Sequence, residues 1–345
     1  MKERNSSFEL MRILSIFAIL GMHSMNRILD IPLNRGDVFA VSLIQSVFNI
    51  SSSCLMLMAG YFGLRLSAKK VIHIEGMFLF WSLMELGVRF LQEEALGRKD
   101  ILGHILPLTS AENWFVTGYV CILVLSGFIN KMIKAMSKKE MERLMLILIS
   151  IFYILPTLFY FEITGTNGKG VIHQFILYLI GRYLAQYGIP KIAEGKKWLM
   201  GLFASIFCMF VLNVIAEKIG MRFWFARDCS VLILFAAVCC VCLAARCSFH
   251  SAVINFCAGN ILAVILNEEA VTKLLLRNSS IRLLMPDQSF GQWDYYLRLF
   301  LWCLLVMGVG ILAEKIRFFI MGRLEGKAGE ICEAKIGSFQ YGIKG

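Results

Sequence analysis

Residues 9–26 read ELMRILSIFAILGMHSMN, a run that is apolar enough to enter a lipid bilayer and yet contains Glu9, Arg12 and His23. A helix of about this length crosses the roughly 30 Å hydrocarbon core of a membrane. Ionisable groups inside such a segment are costly and usually face a protein interior or a water-filled cavity. The stretch therefore predicts a membrane helix with a functional face.

The composition of the whole chain agrees with this interpretation. Its 345 residues are 58% hydrophobic and only 17% charged, and the mean hydropathy is +0.69. These values are far from those of soluble globular domains. Strand-like alternation of polar and apolar residues is nearly absent, which disfavours a barrel. We expect an all-α integral membrane protein, a polytopic bundle of about ten transmembrane helices.

Ten apolar segments are long enough to be candidate spans. They are 9–26, 39–64, 71–92, 113–133, 142–161, 171–188, 197–217, 224–246, 250–267 and 297–321. The first is preceded by basic residues, as in a signal peptide, but it lacks a small-residue cleavage pattern and is expected to remain as the first helix. Residues 1–323 are expected to form one transmembrane domain, and the glycine-rich residues 324–345 a short, poorly ordered cytoplasmic tail.

The distribution of basic residues predicts the orientation. With ten spans, both termini lie on one side, which carries 22 of the 35 Lys and Arg residues against 13 on the other. Short cytoplasmic loops are enriched in Lys and Arg. We therefore expect a multi-pass protein of the cell membrane with both termini in the cytoplasm. The net charge of +11 then reflects loops held against anionic lipids, and nucleic acid is not an expected partner.

Glu9, Arg12 and His23 share one helix face. The 11 residues from Arg12 to His23 correspond to about three full turns and about 16 Å along the axis. Glu9 precedes Arg12 by three residues and can pair with it. Two interpretations stay open on spacing alone. Arg12 could be a headgroup anchor and His23 an interfacial residue, or the three could form a functional line.

Other motifs favour structure over chemistry. The eleven cysteines are scattered, mostly in apolar runs, so we interpret Cys239, Cys240 and Cys242 as packing residues and expect no metal. The aromatic group Trp293, Tyr295 and Tyr296 is typical of an interfacial belt or, alternatively, of a sugar-stacking surface.

The first-helix pattern is also a family pattern. The opening RNSSFELMRILSIFAILGMH, residues 4–23, resembles the first helix of the membrane acyltransferase 3 family. In that helix an acidic residue is followed by Arg and, after ten further residues, by His. Here those positions are Glu9, Arg12 and His23.

Four further segments resemble the family in its own order, so the resemblance covers roughly residues 4–280. They are SSSCLMLMAGYFGLRLSAKK (51–70) with its Ala59-Gly60-Tyr61 turn, NWFVTGYVCILVLSGFIN (113–130), FILYLIGRYLAQYGI (175–189) with Tyr178, Gly181 and Tyr183, and FCAGNILAVILNEEAVTKLLL (256–276).

The chain departs from the family pattern in two places. Ala59 stands where the family usually has Ser, and Ala263 and Leu266 stand where a late Tyr and His are usual. These departures are compatible with an activity that is specialised or weakened relative to that of the family.

The resemblance implies an O-acyltransferase that moves an acyl group, commonly acetyl, from acyl-CoA to hydroxyls of surface polysaccharides or other envelope glycans. A hydroxyl is a poor nucleophile at neutral pH and needs a base with a pKa near 7. His23 suits that role. The expected partners are acyl-CoA as donor substrate, a polysaccharide or lipid-linked glycan as acceptor, and membrane lipids.

Acyl-CoA is polyanionic, so cationic groups are expected at the inner end of the site. Arg12, supported by Glu9, and the group Arg65, Lys69 and Lys70 are the candidates for binding it. Taken alone, Arg65, Lys69 and Lys70 are better explained by ordinary retention of basic loops on the cytoplasmic side. The resemblance adds Trp114, through the Trp-Phe helix, as a further candidate substrate-binding residue.

Two other functions compete with the enzyme. A transporter or flippase for polysaccharide precursors would also line a path with Arg12 and His23, although it predicts internal repeats that the sequence lacks. A noncatalytic partner in polysaccharide export is favoured by the departures at Ala263 and Leu266.

Overall fold

The computed structural model describes residues 5–26, 35–189, 195–286 and 293–342, and in this part the protein consists of helices joined by loops, with no strands. The longer helices are α1 (Ser6–Asn26), α2 (Arg35–Phe48), α3 (Ile50–Phe62), α4 (Ala68–Leu91), α5 (Arg98–Ile105), α6 (Trp114–Ala135), α7 (Lys138–Ile149), α9 (Val171–Tyr187), α10 (Gly195–Glu217), α11 (Val231–Arg246), α13 (Ala263–Leu275) and α15 (Trp293–Gly342). The short ones are α8 (Leu155–Phe159), α12 (Ala252–Ala258) and α14 (Ser279–Arg282), with a π-helical turn (Ser150–Ile154) and a 3₁₀ turn (Trp224–Ala226).

Seven stretches within the described residues are long and apolar enough to cross a membrane, which indicates a multi-pass membrane protein. They are Ser6–Met25, Gly36–Phe62, Ala68–Leu91, Trp114–Ala135, Lys138–Phe159, Gly195–Glu217 and Trp293–Lys335. An eighth arises if α12 and α13, which are separated by a break, count as one span. The expected count of about ten is thus not confirmed.

The remaining predicted spans are shortened by local signals. α11 has 16 residues because Ser230 caps its N-terminus, accepting a hydrogen bond from the backbone N–H of Leu232 at 3.3 Å. The residues before Ser230, expected to be helical, contain the 3₁₀ turn. α9 has 17 residues and ends at Gly188, whose φ of 81° an L side chain rarely adopts.

Unit 1 comprises Met1–Leu64, Asn130–Ile261 and Leu284–Leu304. Within it α3 packs on α9, α11 and α1, and α10 packs on α11 and α2. Gly60 of α3 and Gly181 of α9 permit the closest approach, because a Cβ on Gly60 would clash with the Tyr178 carbonyl oxygen and one on Gly181 with that of Leu57. Small residues of this kind let membrane helices pack backbone to backbone.

Unit 2 comprises Arg65–Ile129, Leu262–Leu283 and Leu305–Gly345. Here α13 packs on α4, and α5 packs on the same helix. Asn267 of α13 is fully buried and donates a hydrogen bond to the carbonyl oxygen of Gly310 in α15 at 3.0 Å.

Residues 324–342, the described part of the segment after Arg323, are helical, which contradicts the expectation of a poorly ordered tail there. α15 has 50 residues, about 75 Å of helix, which is far more than one span requires. The extension is fixed within unit 2. Glu325 pairs with Arg317 and His73, and Gly329 allows α15 to approach the Lys69 backbone at the start of α4.

Candidate functional site

Glu9 and Arg12 form an ion pair at the start of α1. Arg12 Nη1 donates to both carboxylate oxygens of Glu9 at 3.0 Å. Glu9 is buried, whereas the Arg12 side chain is 35% exposed. This confirms the predicted pairing. Arg12 makes no other hydrogen bond in the described part of the chain, so its other guanidinium N–H groups are not used within the protein.

Aromatic rings of α3 hold Arg12 in place. Its guanidinium carbon lies 5.8 Å from the centre of the Phe62 ring, within cation–π range. Phe8 of α1 packs edge-on against Phe62 at 4.8 Å and stacks on Tyr61 at 5.3 Å. Residues 59–61, which were expected to form a turn, lie in the last turn of helix α3. The first-helix pattern and this end of α3, distant in sequence, are therefore neighbours.

Tyr178 and Asn130, which belong to two other family-like segments, both bind the backbone of Leu64, just after the end of α3. The Tyr178 hydroxyl accepts a hydrogen bond from the Leu64 N–H at 3.1 Å and donates to Asn130 Oδ1 at 2.9 Å. Asn130 Nδ2 donates in turn to the Leu64 carbonyl oxygen at 2.9 Å. These bonds, and the close packing of α3 on α9 at Gly60 and Gly181, fix the chain just after α3. Tyr178 and Asn130 therefore have a structural role.

His23 lies near the other end of α1 and is half-buried. The helix packs closely there, because a Cβ on Gly21 would clash with the Phe48 ring. Helix geometry places His23 about 16 Å from Arg12 along the axis. The structure thus brings Glu9 and Arg12 into contact and holds His23 three turns away on the same helix.

The remaining predicted residues belong to unit 2. Arg65, Lys69 and Lys70 are exposed at the linker and first turn of α4. Lys69 Nζ lies 3.4 Å from Glu330 Oε1 of α15, so its charge is partly neutralised. Trp114 opens α6, is half-buried, and packs edge-on against Phe115 at 5.8 Å.

Arg182 is a cation of unit 1 that the sequence analysis did not select. Its Nη1 lies against the turn after Phe62, 2.7 Å from where a Cβ on Gly63 would be. Its Nε is buried without a hydrogen-bond partner, and no acidic side chain pairs with it among the described residues. Two guanidinium groups, Arg12 and Arg182, therefore contact adjacent residues of one turn.

A buried ionic cluster in unit 2 was also missed. Arg317 of α15 is 2% exposed. Its Nε and Nη2 donate to the two carboxylate oxygens of Glu314 at 2.8 and 3.0 Å, and its Nη1 donates to Glu325. Trp81 Nε1 donates to Glu314 at 2.9 Å, and His73 Nδ1 lies 2.7 Å from Glu325 Oε2. The cluster ties α15 to α4.

A second charged network of unit 2 surrounds the loop after α4. Glu94 accepts hydrogen bonds from Lys273 Nζ at 2.9 Å and Arg89 Nε at 2.8 Å. The hydrogen bond from Lys273, then that from Arg89, lowers the pKa of the Glu94 carboxyl. His104 Nε2 lies 3.4 Å from Glu85 Oε1 nearby.

Comparison with known proteins finds no matching protein-family model, no matching curated protein and no matching solved structure.

Proposed function

We propose that this protein is a membrane O-acyltransferase that moves an acyl group, in the first instance acetyl, from acyl-CoA to a hydroxyl of a surface polysaccharide or another envelope glycan. The observation that carries the proposal is on α1, where Glu9 fixes Arg12 at one end and the half-buried His23 follows three turns later on the same face. The resemblance of residues 4–280 to the membrane acyltransferase 3 family supports the same function.

The donor binds through its phosphates. Arg12 and Arg182 contact the turn formed by Phe62 and Gly63, and Arg182 has no acidic partner in the described part of the chain. A guanidinium presents a planar fork that matches phosphate oxygens. In unit 2, the exposed Arg65 and Lys70 and the half-buried Trp114 remain separate candidates for contact with a substrate. For the ten-span arrangement, the 22 to 13 division of basic residues predicts cytoplasmic termini, and so an Arg12 on the side where acyl-CoA is made.

His23 is the proposed general base. Its neutral imidazole takes the proton of the acceptor hydroxyl while the oxygen attacks the thioester carbonyl. The C–S bond then breaks, CoA leaves as the thiolate, and the imidazolium returns the proton to it. The long pantetheine arm of CoA bridges the distance between Arg12 and His23. An acyl-histidine relay would use the same ring.

A transporter is the second candidate, and the buried cluster around Arg317 favours it. Glu314, Glu325 and His73 are titratable groups held inside helices of membrane-spanning length, where such residues commonly carry protons or ions. A transporter forms no covalent product, so product analysis separates the two functions. If the protein is instead a noncatalytic partner in polysaccharide export, we expect neither transport nor acyl transfer.

Purified protein in lipid nanodiscs, labelled acetyl-CoA and a panel of glycan acceptors test the proposal. We expect label to move to a glycan hydroxyl and to be released by mild base, as an ester. Absence of transfer to every acceptor, together with proton-coupled uptake in proteoliposomes, would favour the transporter.

A further inference from the structure

Tyr153 and His173 form a buried aromatic pair in unit 1 that the proposed mechanism does not use. Tyr153 belongs to the π-helical turn between α7 and α8, and His173 is in the first turn of α9. Their ring centroids are 5.3 Å apart at an interplanar angle of 73°. Tyr153 is 0% exposed and His173 1% exposed, so their polar atoms depend on partners within the protein or on a bound molecule.

The hydrogen bond to Phe152 assigns the tautomer of His173. Nε2 lies 3.2 Å from the carbonyl oxygen of Phe152. A carbonyl oxygen only accepts, so Nε2 carries the hydrogen and Nδ1 of the neutral ring has a free lone pair. Nδ1 is buried and has no partner among the described residues, and the same is true of the Tyr153 hydroxyl.

Leaving such groups unpaired is unfavourable, and a buried donor or acceptor without a partner commonly marks a bound molecule or a functional role. One unpaired atom, His173 Nδ1, only accepts, whereas the other, the Tyr153 hydroxyl, can donate and accept. A group that satisfies both must therefore donate a hydrogen bond to Nδ1. A hydroxyl does so and can also accept from Tyr153, whereas a phosphate dianion has no hydrogen to donate.

The charges around the pair also disfavour an anion. Glu162 Oε1 lies 4.0 Å from His173 Nε2, and Glu162 is fixed by the backbone N–H of Asn167 at 2.9 Å. Asp228 is buried and accepts a hydrogen bond from Ser52 at 2.6 Å. Two carboxyl groups on neighbouring segments disfavour an anion beside His173, while Lys169 and Arg227 bring positive charge to the same segments. A neutral hydroxyl is compatible with this mixed environment.

The π-helical turn that contains Tyr153 is held by the side chain of Thr157. Thr157 donates its side-chain hydrogen bond to the Tyr153 carbonyl oxygen at 2.6 Å, and it accepts one from the Val231 N–H at 2.8 Å. These bonds join the π-helical turn to the start of α11. Single π-helical turns inside α-helices are frequent at functional sites.

An aromatic surface begins seven residues after Tyr153, about two helical turns along the chain. Tyr160 is 44% exposed and packs edge-on against Trp224 at 4.9 Å. Arg227 lies over the Tyr160 ring at 4.6 Å and donates to the Pro156 carbonyl oxygen at 2.7 Å. Rings that combine an apolar face with polar neighbours suit sugars, because the C–H faces of a sugar pack on them while its hydroxyls find donors.

We infer that Tyr153 and His173 hold one hydroxyl of the glycan acceptor, which enters over Tyr160 and Trp224. The choice of a glycan hydroxyl rests on the proposed function, whereas the need for a hydrogen-bond donor rests on the unpaired Nδ1 of His173. The Tyr153 hydroxyl donates to the acceptor oxygen, and the hydrogen of that oxygen is donated to His173 Nδ1. Both are binding residues, and no bond is made or broken at this pair.

The experiment measures binding of radiolabelled chitotriose and maltotriose to the full-length protein in nanodiscs, without acetyl-CoA. Tyr153→Phe deletes only the hydroxyl. His173→Gln keeps an N–H near the Nε2 position for the Phe152 carbonyl and loses the lone pair at Nδ1. Each variant is expected to weaken binding of at least one glycan by roughly three- to tenfold, the usual worth of one hydrogen bond. Tyr187→Phe, which removes the hydroxyl of a half-buried tyrosine at the end of α9 in unit 1, is the control and should bind as the wild type does.

The outcomes separate this inference from the proposed function. Weakened binding in both variants supports the inference even if the wild type transfers no acetyl group. Transfer by the wild type with unchanged glycan affinity and unchanged acceptor KM in both variants overturns it and leaves the acyltransferase standing. A lower melting temperature without a change in glycan affinity would assign the pair to a bound water, and would overturn it. The inference would also be overturned if the wild-type protein bound neither glycan.

Discussion

Arg12 Nη1 lies 3.0 Å from both carboxylate oxygens of Glu9, one helical turn earlier in α1. A single nitrogen makes both contacts, so the remaining N–H groups of the guanidinium are not used by the carboxylate. Because Glu9 is buried and Phe62 lies against Arg12, the guanidinium is fixed before any ligand arrives. A group held in this way is suited to an anion, and acyl-CoA is the anion that the proposed function supplies.

Arg12→Lys keeps the charge but loses the planar fork. We expect the KM for acyl-CoA to rise roughly tenfold or more, since hydrogen bonds to charged groups contribute about 1.5–3 kcal/mol, with abundance unchanged. Arg143→Lys, at an exposed position of α7, is the control. Equal acyl-CoA kinetics in Arg12→Lys and the control would remove the phosphate contact from the account.

The crossing of α3 and α9 depends on two glycines. Gly60→Ala and Gly181→Ala each place a methyl group against a backbone carbonyl, and we expect each to lower the free energy of unfolding by about 1–3 kcal/mol. Gly127→Ala is the control, because nothing lies within 4 Å of its Cβ position. Thermal unfolding in detergent measures the difference. If all three variants melt alike, the close crossing is wrong.

Arg317 balances two buried carboxylates. Arg317→Gln leaves Glu314 and Glu325 without their cation, and we expect a loss of about 3–5 kcal/mol. Glu314→Gln added to that variant removes the uncompensated charge and leaves Glu325 paired with His73. The double variant should therefore be more stable and more abundant than the single one. The opposite order would show that the buried cluster is not electrostatically balanced.

Glu94 predicts a pH dependence of stability. Hydrogen bonds from Lys273 and then Arg89 lower the pKa of its carboxyl in the folded protein. A lowered folded pKa means that the unfolded chain binds the proton more readily, so the contribution is complete above the unfolded pKa of about 4.3 and is lost as pH falls through the folded value. The melting temperature of Glu94→Gln should lie below that of the wild type at pH 7, and the gap should close on acidification. A gap that persists or widens at low pH would contradict this.

Local patterns predicted α1 and its pair well. Glu9 and Arg12 are one turn apart, so their contact follows from helix geometry alone, and the structure confirms it. The ends of α4 and α6 are also close to the expected boundaries. Signals of this kind are contained within a few residues of sequence.

Contacts between distant residues were not predictable in the same way. The glycines after Arg323 indicated a disordered tail, yet Gly329 serves close packing against Lys69, and Glu325 pairs with His73, which is 252 residues away. The unpaired atoms of Tyr153 and His173 likewise become visible only when the π-helical turn and α9 are packed together. A sequence pattern carries no record of such pairings.

The central claim is that His23 takes a proton from the acceptor hydroxyl, and the most direct measurement is acetyl transfer by His23→Ala. Purified wild type and variant are compared with labelled acetyl-CoA and a glycan acceptor that the wild type modifies. We predict that His23→Ala inserts and accumulates normally but transfers acetyl at least about a hundredfold more slowly, the usual contribution of a positioned base. His23→Gln should fail similarly, because an amide cannot carry the proton away. Wild-type rates of transfer in His23→Ala would contradict the account.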